Sequence, residues 1–410
     1  MRHPFTEPDG LSSAGRLMFA LASGLAVANV YYAQPLIDTI AQEVKISRAV
    51  AGVIISATQI GYFLGLLFIV PLGDILNRRR LLLWQTALLG LALFIPAIAP
   101  NAATLLAGFG VVGLLSVIAQ TFVAYAADIA SERTRGRAVG IVTTGIILGI
   151  LLARTVSGAL SDHAGWRSVF LVAGALTLGL LLVLARIVPQ DRRPPAPLGY
   201  GALVTSTLGL FVRSRELRIR ATIGCLIFAT ITMLWAPMVL PLSAPPWSLS
   251  HTQVGLVGLA GAMGALGATF AGRLADRGHA NRVTGIGLGL MLVSWTPIAM
   301  LDRSLSGFLL GVLVIDFALQ SVHVSNQALL HQSGAGARGR LTAAYMLLYS
   351  VGCAVGSLLS TVIFAVGGWI GVCAAGGVMS LVALAFWVIA TRPDVRVRLR
   401  GRTPKAGARP

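Results

Sequence analysis

Long apolar stretches alternate with short polar connectors along nearly the whole chain. A helix needs about 20 apolar residues to cross the hydrocarbon layer of a membrane, and the alternating strands of a membrane barrel are absent from this pattern. The pattern therefore predicts an all-α integral membrane protein with twelve transmembrane helices. The predicted spans are 17–36, 49–73, 81–99, 102–126, 138–160, 168–185, 221–242, 254–271, 283–301, 306–330, 341–366 and 370–390.

Composition supports this class and excludes several others. Of 410 residues, 56% are hydrophobic and 11% are charged, and the mean hydropathy is +0.82. Water-soluble domains carry about 25% charged residues. Cys225, Cys353 and Cys373 lie in apolar stretches without paired spacing, so we expect neither disulfides, nor a metal, nor a cofactor. No nucleotide-binding loop or catalytic constellation is visible, so we expect neither an enzyme nor ATP-driven transport.

The basic residues report membrane topology. The net charge is +18, but Lys and Arg lie in short clusters between apolar stretches, so we expect no nucleic-acid partner. The side opposite the termini carries only Lys45, Arg48, Arg167 and Arg303, which predicts a bacterial inner-membrane protein with both termini in the cytoplasm. The predicted divisions are an N-terminal tail (1–16), two six-helix bundles (17–185 and 221–390), a cytoplasmic linker (186–220) and a basic tail (391–410).

Three landmarks recur 202 or 203 residues apart, at matching places in the two halves. They are Asp74 and Asp276, then Arg135-Gly136-Arg137 and Arg338-Gly339-Arg340, and finally Gly165-Trp166 and Gly368-Trp369. The recurrence predicts two six-helix bundles related by a pseudo-twofold axis. Such repeats enclose a midplane cavity that rocking exposes to either side, which favours transport.

The connectors after the second and eighth predicted helices resemble the signature of the major facilitator superfamily, Gly-x-Leu-Ala-Asp-Arg-x-Gly-Arg-Arg. The stretch from Gly272 to Arg277 agrees with it, while Val70, Gly73, Ile75 and Asn77 depart from it. Asn77 replaces a glycine, and Asn tolerates the left-handed conformation of a tight turn.

A second resemblance, to bacterial efflux permeases of this superfamily, lies in the stretch from Asn29 to Leu36 and in Ser325-Asn326-Gln327. The family resemblance implies a secondary transporter in the bilayer that moves a small-molecule substrate, together with protons. One chain contains the complete pathway, so we expect it to function as a monomer.

Charged residues near the connectors predict a cytoplasmic gate. Asp74 and Asp276 can accept hydrogen bonds from a facing helix N-terminus, and Arg78 and Arg79 can pair with Asp128 or Glu132. In the alternative interpretation, the arginines serve membrane topology alone. The full predicted gate comprises Asp74, Arg78, Arg79, Asp128, Arg135, Asp276, Arg277 and Arg338.

Only Arg154 and Asp316 carry full charge within the predicted spans. Each costs about 2.5 to 3.5 kcal/mol at a helix centre, so a function is the default expectation. From the cytoplasmic ends of their helices they lie about 24 and about 21 Å deep at 1.5 Å per residue, which predicts similar levels. Neither charge recurs in the other half, where Ser357 and Gly113 stand. We hypothesise that Asp316 couples protons and that Arg154 keeps it ionised or binds an anionic substrate group; the alternative is a static ion pair.

A polar stripe at helical spacing, Asp316, Gln320, His323 and Gln327, is expected to line the cavity. His323 either shares a proton pathway with Asp316 or is a hydrogen-bonded packing residue. Tyr31 and Tyr32 have the competing interpretation of interfacial anchors. Further candidate cavity contacts are Asn29, Tyr31, Tyr32, Gln34, Gln59, Gln120 and Trp235.

The sequence contains part of a motif that indicates the direction of transport. Gly136, Gly145 and Gly149 fit a fifth-helix glycine pattern of antiporters in this superfamily, while Ile150 replaces its proline and Ala153-Arg154 its final glycine pair. Glycines also permit close helix packing in any membrane protein. The sequence thus favours a proton-coupled exporter, with a proton-coupled importer as the alternative and a non-transporting receptor or scaffold as the alternative class.

Overall fold

The computed structural model describes residues 6–7, 10–130, 134–188, 199–333 and 338–391. Within these residues, ten helical stretches are long and apolar enough to cross a membrane, and one of them contains two helices joined at Gly368. The 19-residue helix Ala280–Ile298 has a similar length and completes the twelve that the sequence predicts. A two-residue antiparallel pair, Thr6–Glu7 with Gly10–Leu11, precedes the first helix.

We number the long helices α1 to α12. The first half contains α1 (Ser13–Glu43), α2 (Val53–Ile75), α3 (Arg78–Ile98), α4 (Ala102–Ile129), α5 (Arg135–Ala164) and α6 (Trp166–Ile187). The second half contains α7 (Arg215–Ser243), α8 (His251–Asp276), α9 (Ala280–Ile298), α10 (Leu305–Ser333), α11 (338–367) and α12 (369–391). We call the end of the bundle where α1 begins and α12 ends the terminal face, and the other end the opposite face.

Short polar residues set several helix starts. Ser12, Asn77, Asn101, Ser214 and Ser250 each accept a hydrogen bond from a backbone N–H of the first turn that follows. Asn77 has extended backbone, with φ −60° and ψ 114°, so this turn does not use the left-handed conformation that Asn tolerates, and its side chain caps α3.

The repeated Gly-Trp pair forms the same turn in both halves. Gly165 and Gly368 have φ of 76° and 59°, a region that glycine enters without a steric penalty. Each glycine is followed by a buried tryptophan, Trp166 or Trp369. The turn lets α6 and α12 reverse direction directly after α5 and α11.

Two helices are interrupted at equivalent positions. The first part of α1 ends at Tyr31 and the chain continues through a 3₁₀ turn, Gln34–Leu36, whereas the first part of α7 ends at Trp235. Because α1 continues to Glu43 rather than ending at residue 36, Tyr31 and Tyr32 lie in the interior of the span. This position does not favour their interpretation as interfacial anchors.

The segment between the halves contains a 14-residue helix, Tyr200–Arg213, which we call the linker helix. The Tyr200 hydroxyl donates to the Phe68 carbonyl of the first half at 2.8 Å, and Arg340 of the second half donates to the Ser206 hydroxyl at 3.4 Å. The described part of the predicted linker thus contains a helix that contacts both halves at the terminal face.

The halves are packed tightly at the opposite face and separated at the terminal face. A Cβ on Gly52 would lie 2.2 Å from the Ser357 carbonyl oxygen, and the Ser56 hydroxyl donates to the Ala354 carbonyl at 2.7 Å, so α2 and α11 touch through their backbones. At the terminal face a cavity of about 450 Å³ is lined by α2, α3, α4, the linker helix and α11.

Candidate functional site

A second cavity, of about 100 Å³, lies between the halves in the interior of the bundle, and we call it the central cavity. Five of the predicted contacts line it together with both unshared charges: Tyr31, Gln34, Gln59, Trp235 and Gln320, with Arg154 and Asp316. Both halves contribute to its wall. The structure thus brings the two unshared charges to one site.

Arg154 enters the cavity with its guanidinium oriented by three neighbours. Its Nε donates to Gln34 Oε1 at 2.7 Å, and its Cζ lies 3.9 Å from the centre of the Trp235 ring and 5.2 Å from that of Tyr31. Tyr31 and Trp235 end the first parts of α1 and α7, so the two interrupted helices supply an aromatic surface on which a cation is stabilised.

Glycines of α8 make room for this arginine. A Cβ on Gly255 would lie 2.4 Å from the Arg154 carbonyl oxygen, and one on Gly258 would lie 3.0 Å from Arg154 Cδ. Both glycines therefore permit an approach that a larger residue would block. Nothing in the sequence marks them, because the clearance depends on a helix from the other half.

Asp316 is buried, with 6% of its surface exposed, and its Oδ2 has no hydrogen-bond partner among the described residues. It interacts electrostatically with Arg154 and with the Trp235 side chain. Within the described chain, no salt bridge of 4 Å or less joins the Asp316 carboxylate to Arg154. This geometry gives no support to the static ion pair, because both groups keep unused hydrogen-bonding capacity.

The predicted stripe on α10 divides between two environments. Asp316 and Gln320 line the central cavity, whereas His323 contacts the Tyr345 hydroxyl at 2.9 Å and Gln327 Nε2 at 3.2 Å. His323 and Gln327 are therefore not among the cavity's lining residues, and the contacts match the packing interpretation of this histidine.

Three other predicted contacts also lie away from the central cavity. Asn29 is buried but does not line it. Tyr32 borders an apolar groove on the outside of α1 and α5, and Gln120 borders the cavity of the terminal face, where it donates to the Tyr62 hydroxyl at 3.4 Å. Residues that the sequence did not suggest, Phe228, Tyr349 and Cys353, occupy the wall instead.

The first-half gate residues form a cluster at the terminal face. Arg78 donates to Asp74 at 3.0 Å and to the Gly73 carbonyl at 2.7 Å, and it also pairs with Asp128. Arg79 instead donates to the carbonyls of Ala185 and Val188 at the end of α6.

The second-half counterparts make no such cluster. Asp276 and Arg277 are exposed, and neither pairs with another described residue. Glu132 and the side chains of Arg135 and Arg338 lie outside the described residues. In this structure the first-half aspartate therefore contacts its own half rather than a facing helix.

A polar cluster that we call the opposite-face latch joins the halves through Thr39, Asp162, His251 and Thr252. The Asp162 carboxylate at the end of α5 accepts from the backbone N–H groups of His251 and Thr252 at 3.2 and 2.8 Å, from His251 Nδ1 at 2.8 Å and from the Thr252 hydroxyl at 2.6 Å. His251 Nε2 also contacts the Thr39 hydroxyl at 2.9 Å. A carboxylate of one half thus caps the N-terminus of α8 in the other.

A pair of tyrosines adds a second cross-half contact. The hydroxyls of Tyr31 and Tyr349 lie 3.0 Å apart, and the Phe228 ring stands edge-on to Tyr349 at 4.1 Å. Tyr349 lines the central cavity, while Met346, one helical turn away, lines the terminal-face cavity. The tyrosine pair therefore lies at the wall between the two cavities.

Among the described residues, twelve long helices in two halves, with a cavity between them that holds Arg154 and Asp316, define a membrane transporter. The model of the Major Facilitator Superfamily matches residues 19–246 and 225–409, and the chain belongs to this family. It is 45% identical over 377 residues to a protein of Escherichia coli O157:H7 named Uncharacterized transporter YgaY, which covers 92% of this chain and 95% of that one.

Two more distant similarities concern part of the chain and the fold. The 3-(3-hydroxy-phenyl)propionate transporter of Escherichia coli K12 is 31% identical over 190 residues, which is 44% of this chain and 46% of that protein. The crystal structure of a bacterial homologue of the human lysosomal transporter Spinster aligns with a TM-score of 0.71 at 16% identity, over 96% of this chain and 99% of that one. Membership of the Major Facilitator Superfamily makes the chain a multi-pass membrane transporter of small molecules.

Proposed function

We propose that this transporter couples the movement of a small organic molecule to protons, with Asp316 as the proton carrier. The observation that carries the proposal is that Asp316 Oδ2 has no hydrogen-bond partner in the described part of the chain, although it is buried in a cavity between the halves and faces a buried guanidinium. A carboxylate in such a place becomes a hydrogen-bond donor when it takes up a proton, and it can accept a hydrogen bond from a ligand that enters the cavity. Its protonation can therefore alter both the charge and the contacts of the site.

Alternating access supplies the pathway. The opposite-face latch and the contacts of α2 with α11 close one side, and the cavity of about 450 Å³ lies on the other. Rocking of one half against the other would open the latch and close the terminal face. Both halves that would rock belong to the same chain, so we propose that a monomer transports, with the termini in the cytoplasm of a bacterial cell.

Export by exchange with protons is the direction that the glycine pattern of α5 favours. Gly145 and Gly149 also have a packing role, because a Cβ on either would lie 2.1 or 2.2 Å from a carbonyl oxygen of α1. These contacts lie within one half. The pattern therefore supports export by resemblance to antiporters, while its packing role applies to either direction.

Uptake by cotransport is the second candidate, and the charges of the site favour it. Arg154 is the one arginine or lysine lining the central cavity among the described residues, and Asp316 is the one carboxylate. An anionic substrate and an ionised Asp316 would compete for the same cation. The relative named for 3-(3-hydroxy-phenyl)propionate supports an organic acid as the substrate.

The test is a substrate screen in inverted membrane vesicles, with labelled organic acids, amines and neutral aromatics, with and without an imposed pH gradient. We expect gradient-dependent flux of at least one compound in the wild type. In Asp316→Asn we expect that dependence to disappear, while exchange of labelled for unlabelled substrate continues, because exchange needs no net proton movement.

The matched control is Asp302→Asn, an exposed carboxylate at the opposite face. Full gradient dependence in Asp316→Asn would remove the carboxylate from the mechanism. Uptake into inverted vesicles that is energised by an acidic interior indicates export in the cell, whereas gradient-driven movement in the reverse sense indicates import.

A further inference from the structure

We infer that the substrate is a compact monocarboxylate that binds to Arg154 while Asp316 takes up a proton, so that substrate and proton cross in the same direction. The inference rests on the proposed function and decides between its two directions. Three independent features of the central cavity carry it: the unused donors of Arg154, the balance of charge and the free volume.

The first feature is the exposed edge of the guanidinium. Of its five N–H groups, only the one on Nε donates to another described residue, Gln34. The two terminal nitrogens are not fully buried, so they remain accessible from the cavity that Arg154 lines. Trp235 covers the face of the guanidinium and leaves this edge free. Two parallel N–H groups at such an edge match the two oxygens of a carboxylate.

The second feature is the charge balance. The titratable groups that face Asp316 across the cavity are Arg154 from α5, Tyr31 from α1, and Tyr349 and Cys353 from α11. Phenols and thiols of ordinary pKa are neutral at physiological pH, so the site holds one positive and at most one negative charge. It offers a single cation for binding.

A bound carboxylate therefore faces Asp316 with only that one cation between them. If Asp316 stayed ionised, two negative charges would share one guanidinium in a site removed from water, which is unfavourable. Protonation of Asp316 removes the repulsion and converts the acid into a hydrogen-bond donor. Each bound anion thus brings one proton, and the pair crosses as a neutral combination.

The third feature is the free volume. The central cavity measures about 100 Å³, and apart from the charged and amide groups its wall is formed mostly by aliphatic and aromatic side chains such as Ile150, Leu319 and Phe228. An apolar cavity of about 150 Å³ in another protein holds benzene. The central cavity is smaller than that, so a ligand of one ring must be accommodated by a small outward shift of the wall, two fused rings are excluded, and a second carboxylate would find no second cation.

Binding of benzoate to the purified, full-length protein tests the inference. We would measure it by titration calorimetry at pH 7 in two buffers of different ionisation enthalpy, which reports the number of protons taken up with the ligand. We expect benzoate to bind with an uptake approaching one proton, and we expect benzamide, benzylamine and 2-naphthoate to bind at least tenfold more weakly. Potassium chloride holds the ionic strength constant in every titration.

Two variants assign the effect to the site. Arg154→Lys keeps the charge but loses the planar fork, so benzoate affinity should fall at least tenfold, whereas Arg303→Lys, on the exposed opposite face, should leave it unchanged. Asp316→Asn should keep benzoate binding but abolish the proton uptake. A thermal unfolding transition like that of the wild type, measured without ligand, shows that each variant is folded.

The results that overturn the inference differ from those that overturn the proposed function. Absence of benzoate binding, equal binding of benzamide, benzylamine or 2-naphthoate, unchanged affinity in Arg154→Lys, or proton release on binding would each refute the monocarboxylate and the shared direction. Gradient-dependent flux of another compound would then still support proton-coupled transport. Conversely, proton-linked benzoate binding without gradient-dependent flux of any compound would leave the binding site established and refute the coupling.

Discussion

Removing the carboxylate of the opposite-face latch should open the central cavity to that face. In Asp162→Asn the side chain keeps its shape but loses its charge and one acceptor oxygen. The lost contacts join the end of α5 to the N-terminus of α8, so they exist only while the halves are closed together. The substitution should therefore destabilise the closed state relative to the open one.

The size of the effect follows from the four hydrogen bonds that Asp162 accepts. A hydrogen bond to a charged group contributes about 1.5 to 3 kcal/mol. We assign about 2 to 3 kcal/mol to the substitution rather than the sum, because Asn keeps one acceptor oxygen, the Asp162 side chain is 22% exposed and water replaces the donors on opening. At 1.4 kcal/mol for each factor of ten, the open population should rise about 30- to 140-fold.

The assay uses Cys353, a native thiol that lines the central cavity. Replacement of Cys225 and Cys373 by alanine leaves Cys353 as the single thiol of the chain. A dilute, membrane-impermeant thiol reagent applied to the face opposite the termini should then label Cys353 faster in Asp162→Asn by the factor given above. Asp302→Asn, an exposed carboxylate of the same face, should label as the parent does. An increase below threefold in Asp162→Asn would refute the reasoning.

Three further substitutions test other contacts. Gly255→Ala places a methyl group 2.4 Å from a backbone carbonyl of the facing helix, so thiol labelling of the cavity from the opposite face should rise, whereas Gly289→Ala, with open space around it, should not change it. Arg78→Gln removes an arginine bonded to two carboxylates and should lower the melting temperature by several degrees; an equal loss in Arg80→Gln, whose arginine is exposed, would contradict this. Tyr349→Phe deletes a hydroxyl that bridges the halves and should speed thiol labelling of the cavity from the terminal face by a few fold; slower or unchanged labelling would show that the pair is no barrier.

Arg154 and Asp316 illustrate how far the candidate site was predictable. Their cost within an apolar span marked them as functional, and helix arithmetic placed them at similar depth. The structure brings both to one cavity but without a salt bridge between them. Whether two charged side chains at the same depth touch depends on the rotation of each helix about its axis and on the side chains between them. The depth of a residue along its helix determines neither.

The polar stripe on α10 was also only partly predictable from the sequence. Its helical spacing placed His323 on the face of Asp316, yet His323 bonds to Tyr345 of α11. A helix of 29 residues passes different neighbours along its length, so one face can border a cavity at one level and a packed helix at another. The spacing of residues gives the face, and the neighbouring helices give its environment.

The amino-acid sequence alone determined the twelve spans and the two related halves, because span length and the recurrence of Asp74 and Gly165 in the second half are properties of the chain itself. The tertiary structure alone decided that Gly255 and Gly258 admit Arg154, and that Asp162 closes the opposite face by capping α8. These contacts join residues about 90 to 100 positions apart across the two halves. Their geometry exists only when one half is docked against the other, so no local pattern of residues carries it.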